Sequence, residues 1–364
     1  MKSAAVKETV LEETGAAVTD LDGVDESVLG VTLRHRQETV SHVRWHWVEA
    51  GFDRSAGSRH PQFQPAETIV LIHGYPESWF AWRHQLAAFA GRYRLIALDL
   101  KGFGHSRGFE SRASSYHPLR VAEDVLLLLD RIEVHRFNLV AHSLGSIVGD
   151  YLAGVEPHRV LRYARIQAAS EMSDQPALWQ REALGNYRQA VRRHRAPHLV
   201  RSIYDRSCRL EIAEADVERM EADFHLPGVA EAVSSYSDAR WPLPSWRAER
   251  RDRFELFARM EMPVVLIQGD SVPGQPVSDY GQTAAFLPRG RVEVIPDCGA
   301  FAHGERPKPV NKALSTLFET PVAALSASER VTDLSVRRDP ILGTGPGPGR
   351  RRFVSATARP GQDR

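Results

Sequence analysis

The chain lacks several features that would assign it to a class at once. It has two cysteines among 364 residues, Cys208 and Cys298, which predicts neither a disulfide framework nor a thiolate metal motif. Its 47 basic and 46 acidic side chains balance, so nothing points to nucleic acid as a partner. No apolar run approaches the roughly 20 residues of a membrane helix, and the acidic N-terminus does not resemble a secretory signal. These absences predict a cytoplasmic globular protein with no membrane partner.

The stretch with the clearest chemical meaning is residues 137–149, FNLVAHSLGSIVG. A short apolar run predicts a buried strand, a tight turn holds Ser143, and a helix is predicted to begin near Gly145. Small residues, Ala141 and Gly145, stand two positions to either side of the serine, as a sharp strand-to-helix turn requires. Such a turn raises its central side chain above the sheet and directs helix N–H groups toward it. Ser143 therefore occupies the position of a nucleophile.

The order of the predicted elements indicates an α/β fold. Strands and helices alternate over 28–170, and strand patterns return over 262–320, which is typical of a doubly wound, mostly parallel sheet. The intervening 171–261 is predicted mainly helical, as an insertion lying over the strand ends. Residues 1–27 are polar and acidic and predict a mobile leader. The composition of 321–364 cannot bury a core and predicts a disordered tail.

Three motifs resemble those of the α/β-hydrolase superfamily, closest to epoxide hydrolases and related dehalogenases. They are HGYPESWFAWRHQ over 73–85, DLKGFGHS over 99–106 and NLVAHSLG over 138–145. The resemblance implies an eight-stranded, mostly parallel sheet flanked by helices, with a helical cap after the sixth strand. It also implies an oxyanion hole made by the backbone N–H groups of Tyr75 and Leu144.

The same resemblance suggests residues that border a substrate. His73 and Trp79 belong to the first motif, although His73 also fits a role in loop hydrogen bonding. Tyr236 falls near the position where epoxide-opening relatives carry a cap tyrosine that binds the substrate oxygen, and a packing role in the cap is the alternative. Those relatives have an aspartate nucleophile at the turn, whereas Ser143 matches esterases and C–C bond hydrolases.

The rest of the expected catalytic triad is missing from its usual places. The family's acid pattern, Gly-x-x-Asp-x-x-x-Pro, aligns with GDSVPGQP over 269–276 and places Val272 at the acid position. The histidine pattern, Gly-His-Phe-x-x-x-Glu-x-Pro, aligns with GAFAHGERP over 299–307 and places Ala300 at the base position. A serine hydroxyl is a weak nucleophile without a base and an orienting carboxylate. The standard route to an activated Ser143 is therefore absent.

Other residues offer a rearranged triad. Glu171 follows the sixth strand, where haloalkane dehalogenases carry their acid, and Asp270 precedes the usual acid position by two residues. His303 lies about one helical turn beyond Ala300. The alternative for Glu171 is a residue at the start of a cap helix, and three residues forward usually places a side chain such as His303 on another face.

Three functions remain open from the sequence. The first is an enzyme that acts on a small, mostly apolar molecule by elimination, cyclisation, lyase or isomerisation chemistry at the oxyanion hole. The second is a serine hydrolase of an ester, thioester or epoxide with a rearranged triad. The third is a non-catalytic binder of a small molecule. No metal cluster, phosphate loop or dinucleotide motif is recognised, so no cofactor is expected, and the sequence does not indicate an oligomeric state.

Overall fold

The computed structural model describes residues 10–11, 17–18, 20–51, 67–108, 112–168, 198–240 and 251–322. Two short strands, β1 (Val10–Leu11) and β2 (Ala17–Val18), pair with each other. The other strands are β3 (Asp25–Val28), β4 (Val31–Val40), β5 (Val43–Ala50), β6 (Thr68–Ile72), β7 (Arg94–Leu98), β8 (Arg107–Gly108), β9 (Phe137–His142), β10 (Val160–Ile166), β11 (Val264–Gly269) and β12 (Gly290–Ile295).

Ten strands form one sheet in the order β12, β11, β10, β9, β6, β7, β5, β4, β3, with β8 paired to β5. The strands from β12 to β7 in this order are parallel, and β5, β4, β3 and β8 add antiparallel pairs. Strands β9, β10 and β11 are buried along their whole length. This burial is expected where helices cover both faces of a parallel sheet.

Helices flank the sheet and form a separate group between β10 and β11. The core helices are α1 (Arg83–Phe89), α2 (Pro118–Arg131) and α3 (Leu144–Val155), preceded by 3-10 turns at Trp79–Trp82 and Ala113–Tyr116. The next group is α4 (Leu199–Ser207), α5 (Glu214–Phe224), α6 (Val229–Arg240) and α7 (251–257). After β11 come α8 (Val277–Ala284), α9 (Ala302–Glu305) and α10 (Pro307–Glu319).

The structure confirms the α/β-hydrolase architecture and corrects the number of strands and one boundary. The sheet has ten strands instead of eight, because β3 extends its antiparallel edge and β8 adds a two-residue pair to β5. Residues 25–27 lie in β3, so they belong to the sheet and not to the expected leader. The helices of 199–257 agree with a helical cap. The expected tail from 323 onward lies outside the described residues.

The sheet order brings together the loops that carry the motifs. Strands β6 and β9 are parallel neighbours, with Ile72 opposite Ala141. The loop after β6 and the turn after β9 therefore leave the same edge of the sheet side by side, which is where doubly wound folds place their ligands. None of the helices that the structure describes is long and apolar enough to span a bilayer.

Candidate active site

Ser143 lies in the sharp turn between β9 and α3. Its backbone has φ 49° and ψ −114°, a strained combination for a residue with a side chain. A Cβ on Gly145 would lie 2.3 Å from the carbonyl oxygen of His73 and 2.5 Å from that of Ile72. Only a glycine fits this close approach of α3 to the end of β6, so the small residue predicted at position 145 has a steric cause.

The loop after β6 packs directly against this turn. A Cβ on Gly74 would lie 2.7 Å from the Cβ of Ser143, so the backbone of the HGYP motif borders the serine. Tyr75 is half-buried in that loop. Leu144 is the first residue of α3, where an N–H group has no acceptor within its own helix. Both residues expected to form the oxyanion hole therefore belong to the two segments that meet at Ser143.

The serine has no base among the residues that the structure describes. Ser143 is partly exposed, and no described side chain makes a hydrogen bond to its hydroxyl. Ala300 and Val272, at the usual base and acid positions, are 5% and 7% exposed. The backbone N–H of Ala300 donates to Ser207 at the end of α4, 2.8 Å away. The loop at the predicted base position is therefore held against the cap, and residue 300 carries a methyl group there.

His303, the alternative base, is hydrogen-bonded to a residue other than Ser143. Its Nε2 lies 3.1 Å from Oε1 of Glu77, in the loop after β6. Glu77 also contacts His142, whose Nδ1 is 2.8 Å from Oε2, and accepts a hydrogen bond from the hydroxyl of Tyr204 in α4. The other nitrogen of His142 donates to the carbonyl of Ala300, 3.0 Å away. We call Glu77, His142 and His303 the Glu77 cluster.

The Glu77 cluster lies in a dry environment. Its three side chains are at most 2% exposed. Burial raises the pKa of a carboxyl, yet the charges and hydrogen bonds of the two imidazoles hold the pKa of Glu77 well below its usual range. Burial lowers the pKa of His303 despite the neighbouring carboxylate. The cluster thus combines an ionised glutamate with a neutral His303, which donates from Nε2 while its Nδ1 has no hydrogen-bond partner.

Of the two proposed acids, only Asp270 lies in the described part of the chain, and no hydrogen bond joins it to Ser143 there. Asp270 is exposed, and its Oδ1 accepts hydrogen bonds from the hydroxyl of Ser271 and the N–H of Cys298. The hydrogen bond from Ser271 lowers the pKa of Asp270 most, and the bond from Cys298 lowers it further. Asp270 therefore stabilises its own loop and faces solvent, which argues against its place in a rearranged triad. Glu171 lies outside the described residues.

The expected substrate-binding residues have structural contacts instead. Both nitrogens of His73 are engaged, Nδ1 with the carbonyl of Gly74 and Nε2 with the N–H of Leu100. Trp79 is fully buried and packs edge-to-face on His35 and Phe80. These are contacts of loop hydrogen bonding and core packing, and substrate binding by His73 and Trp79 stays a prediction.

Tyr236 is also a structural residue. Its hydroxyl donates to the carbonyl of Lys101, 3.0 Å away, and its ring packs against Phe103 and Tyr116. With 3% exposure and its hydroxyl engaged, Tyr236 fastens α6 to the core. These contacts agree with the packing role given as its alternative, and binding of a substrate oxygen by Tyr236 stays a prediction.

A second group of histidines and carboxylates lies at the other side of the HGYP loop. Oδ2 of Asp99 is 2.7 Å from Nδ1 of His46, Nε2 of His46 is 2.9 Å from Nδ1 of His35, and Nε2 of His35 is 3.0 Å from Oε2 of Glu26. Arg219 of α5 donates to Oε1 of the same glutamate at 3.1 Å. We call Asp99, His46, His35 and Glu26 the Asp99 chain. It runs from the core to a point where strand β3 meets the cap.

This geometry agrees with comparisons to known proteins. The sequence profile of the family described as alpha/beta hydrolase fold matches residues 67–307. The chain belongs to the α/β-hydrolase family. Epoxide hydrolase B of Mycobacterium tuberculosis is 36% identical over 100 residues, which cover 27% of this chain and 28% of that protein. The matches to curated relatives span between 26% and 38% of those relatives' lengths.

Solved structures give the same assignment over a longer stretch. Cfl2 from Burkholderia cenocepacia superposes with a TM-score of 0.65 at 25% identity, covering 79% of this chain and 96% of that one. The haloalkane dehalogenase DbeA of Bradyrhizobium elkani gives 0.64 at 18% identity, covering 78% and 97%. The second likeness shows a shared fold.

Sequence reasoning missed the residue at the centre of this region. Glu77 lies inside the HGYPESW motif, yet its partners stand 65 and 226 residues away along the chain, and Tyr204 stands 127 away. The motif supplied a signal for Glu77 itself, because a carboxylate between a proline turn and an aromatic run is unusual in a buried loop. Its histidine partners can be identified only in the folded structure, where the loop after β6, the end of β9 and α9 lie side by side.

Proposed function

We propose that this protein is an enzyme acting on a small, mostly apolar molecule by a reaction that uses the oxyanion hole and no acyl-enzyme intermediate. Elimination, cyclisation, lyase and isomerisation steps belong to this class where negative charge builds on an oxygen of the substrate, and none of them requires a serine ester. The family relationship supports an apolar substrate, since relatives of this chain are named as epoxide hydrolases and a haloalkane dehalogenase.

The observation that carries the proposal is the contrast between Ser143 and His303. The strained turn of Ser143 and the HGYP loop packed against it support an oxyanion hole at this position. The base position is Ala300, and the nearest replacement in sequence, His303, is hydrogen-bonded to Glu77 and not to Ser143. Preorganised donors aimed at a developing oxyanion stabilise a transition state by about 3–4 kcal/mol each, without any help from a nucleophile.

A fluorophosphonate probe tests whether Ser143 is activated. We expect wild type to react no faster than Ser143→Ala, within about threefold, with Ser114→Ala, an exposed serine, as the matched control. The double variant Ala300→His with Val272→Asp should label about 100-fold faster if the turn geometry is intact, because a general base contributes about 10²–10⁴-fold. Rapid labelling of wild type that disappears in Ser143→Ala would establish the rearranged-triad hydrolase and overturn the proposal.

A second experiment addresses the type of reaction. Small apolar esters, lactones and epoxides are incubated with the protein in ¹⁸O-labelled water, and the products are analysed by mass spectrometry. The proposed chemistry gives products without the label, whereas hydrolysis introduces one labelled oxygen. Label that enters only in the presence of wild-type protein would contradict the proposal.

A non-catalytic binder is the second candidate, and one observation favours it. The hydroxyl of Ser143 has no hydrogen-bond partner among the described residues, as expected of a side chain with no catalytic duty. The two candidates differ in turnover: both bind an apolar ligand, and only the enzyme converts it. Binding that persists in Ser143→Ala with no conversion by wild type would identify the protein as a binder.

A further inference from the structure

Three potential ligand atoms converge in the Glu77 cluster. They are a carboxylate oxygen of Glu77, Nδ1 of His142 and Nε2 of His303, and all lie within 4.8 Å of one another. Each comes from a different element: the loop after β6, the last residue of β9, and α9. Because all three side chains are at most 2% exposed, the position between them is shielded from solvent.

Both ring nitrogens of His142 face acceptor oxygens in this cluster. Its Nε2 faces the carbonyl of Ala300, which accepts, so that nitrogen carries a proton. A neutral ring then has its lone pair on Nδ1, which lies 2.8 Å from a carboxylate oxygen of Glu77, another acceptor. Two acceptors at this distance repel each other unless a cation stands between them. A metal ion bound to both atoms, after they move slightly apart, would remove this repulsion.

The donor set selects one kind of metal. Imidazole nitrogen and carboxylate oxygen suit Zn²⁺ and its neighbours in the transition series, whereas Ca²⁺ and Mg²⁺ prefer six or more oxygens. With bonds of about 2.0–2.1 Å, tetrahedral ligand atoms lie about 3.3 Å apart. The two closest nitrogen–oxygen pairs are 2.8 and 3.1 Å apart. Small outward movements of the two rings would bring the ligands to bonding geometry.

The surrounding contacts are those that zinc ligands usually have. A ligating histidine generally donates its other N–H to a carbonyl or carboxylate, which fixes the ring. His142 does so to Ala300, and Glu77 accepts a further hydrogen bond from Tyr204 at 3.2 Å. The rings of Trp82 and Phe301 cover His303 and His142 at centroid distances of 4.7 and 5.3 Å. His303 Nδ1 has no partner and is available to carry the ring proton when Nε2 binds a metal.

We propose that Glu77, His142 and His303 form a binding site for one divalent ion of the zinc class. The inference does not rest on the proposed function, since it concerns a cluster that makes no hydrogen bond to Ser143. It revises the expectation from sequence spacing that the chain has no metal site. Successive ligands are 65 and 161 residues apart along the chain, so no short sequence motif contains them.

Titration of the full, chelator-treated chain with Co²⁺ and Zn²⁺ tests the site. We expect one Co²⁺ per chain with visible absorption bands of a tetrahedral or five-coordinate nitrogen–oxygen site, and one Zn²⁺ per chain with micromolar or tighter affinity by calorimetry. The Tm should rise by several degrees on saturation. His303→Gln should weaken Zn²⁺ binding at least 100-fold, and Tyr204→Phe, which keeps all three ligands, about 10-fold. His158→Gln, an exposed histidine, is the matched control and should leave the affinity unchanged.

Two results would overturn the site. Wild type that shows no stoichiometric Co²⁺ absorption would mean that protons alone hold the cluster together, whether or not any variant folds. Binding that survives in His303→Gln and disappears in His158→Gln would place the ion on the surface. Circular dichroism of each variant checks its folding, and Tyr204→Phe provides the affinity comparison if His303→Gln does not fold.

Discussion

The Glu77 cluster and the Asp99 chain are built from the same two side-chain types in opposite arrangements. In the Glu77 cluster one carboxylate lies between two imidazoles, and the ligand atoms converge on one point. In the Asp99 chain two imidazoles lie in line between two carboxylates. Converging acceptors can share one metal ion. In a linear row each nitrogen has a single neighbouring polar atom, so shared protons hold the side chains of the row together.

The two groups also differ in burial and in the elements they connect. The Glu77 cluster is closed from solvent and joins the serine turn, the loop at the base position and α4. The Asp99 chain begins at a fully buried carboxylate and ends at Glu26, whose side chain is 28% exposed and paired with Arg219 of α5. Electrostatic energies grow as water is excluded. We therefore expect substitutions to cost most in the Glu77 cluster and least at the outer end of the Asp99 chain.

Glu77→Gln should have the largest effect. It removes the charge that two imidazoles share, and loss of one partner of a buried ion pair costs about 3–5 kcal/mol. The free energy of unfolding is measured in urea in the presence of a chelator. Glu123→Gln, an exposed carboxylate paired with Arg120 on α2, is the control and should change stability by less than about 1 kcal/mol. A Glu77→Gln value close to that of the control would mean that the cluster holds no ion pair.

Asp99→Asn should cost somewhat less, about 2–3 kcal/mol, because the amide keeps one acceptor oxygen. Asp99 accepts from the N–H groups of Trp79 and His105 and contacts Nδ1 of His46. Burial raises the pKa of Asp99, and the hydrogen bond and charge of His46 outweigh it and lower that pKa below its usual range. The same urea experiment gives the loss, and Zn²⁺ affinity should stay within about threefold. A parallel loss of Zn²⁺ affinity would show that the two groups are not independent.

Asp223→Asn should change the pH dependence of stability. Asp223 of α5 is buried beside Ser78 and Arg219, and burial chiefly raises its pKa to about 6. Between about pH 4 and pH 6 the folded carboxyl keeps a proton that the unfolded one releases, so its contribution to stability falls as the pH rises through this window. The difference between wild type and Asp223→Asn should change by about 2–3 kcal/mol from pH 4 to pH 7. A constant difference would contradict the raised pKa.

Glu26→Gln should have the smallest effect, about 1 kcal/mol or less, because its side chain is partly solvated and its pair with Arg219 is screened. Thermal unfolding at low and at high salt measures the change, and the wild-type advantage should shrink at high salt. A loss as large as that of Asp99→Asn would show that the Asp99 chain acts as one unit along its whole length.

Much of the fold could be predicted from the sequence because its buried strands and its sharp turn follow from local residue patterns. The apolar runs of β6, β7, β9, β10 and β11 and the small residues around Ser143 follow from strand burial and from the sharp turn. The expected leader failed at residues 25–27, since pairing with β4 depends on a partner strand and not on local composition. Likewise, the sequence around Tyr236 does not predict that its hydroxyl donates to the carbonyl of Lys101, 135 residues away along the chain.

The candidate site likewise has features that local sequence predicts and features that depend on contacts between distant segments. The sequence by itself predicted a serine at a nucleophile's turn and placed Ala300 and Val272 at the expected base and acid positions, because each prediction depends on residue identity within a short motif. Only the tertiary structure decided that His303 contacts Glu77, that Asp270 faces solvent, and that His142 lies between a carbonyl and a carboxylate. Those outcomes depend on side-chain direction and on contacts between distant segments, and a linear pattern specifies neither.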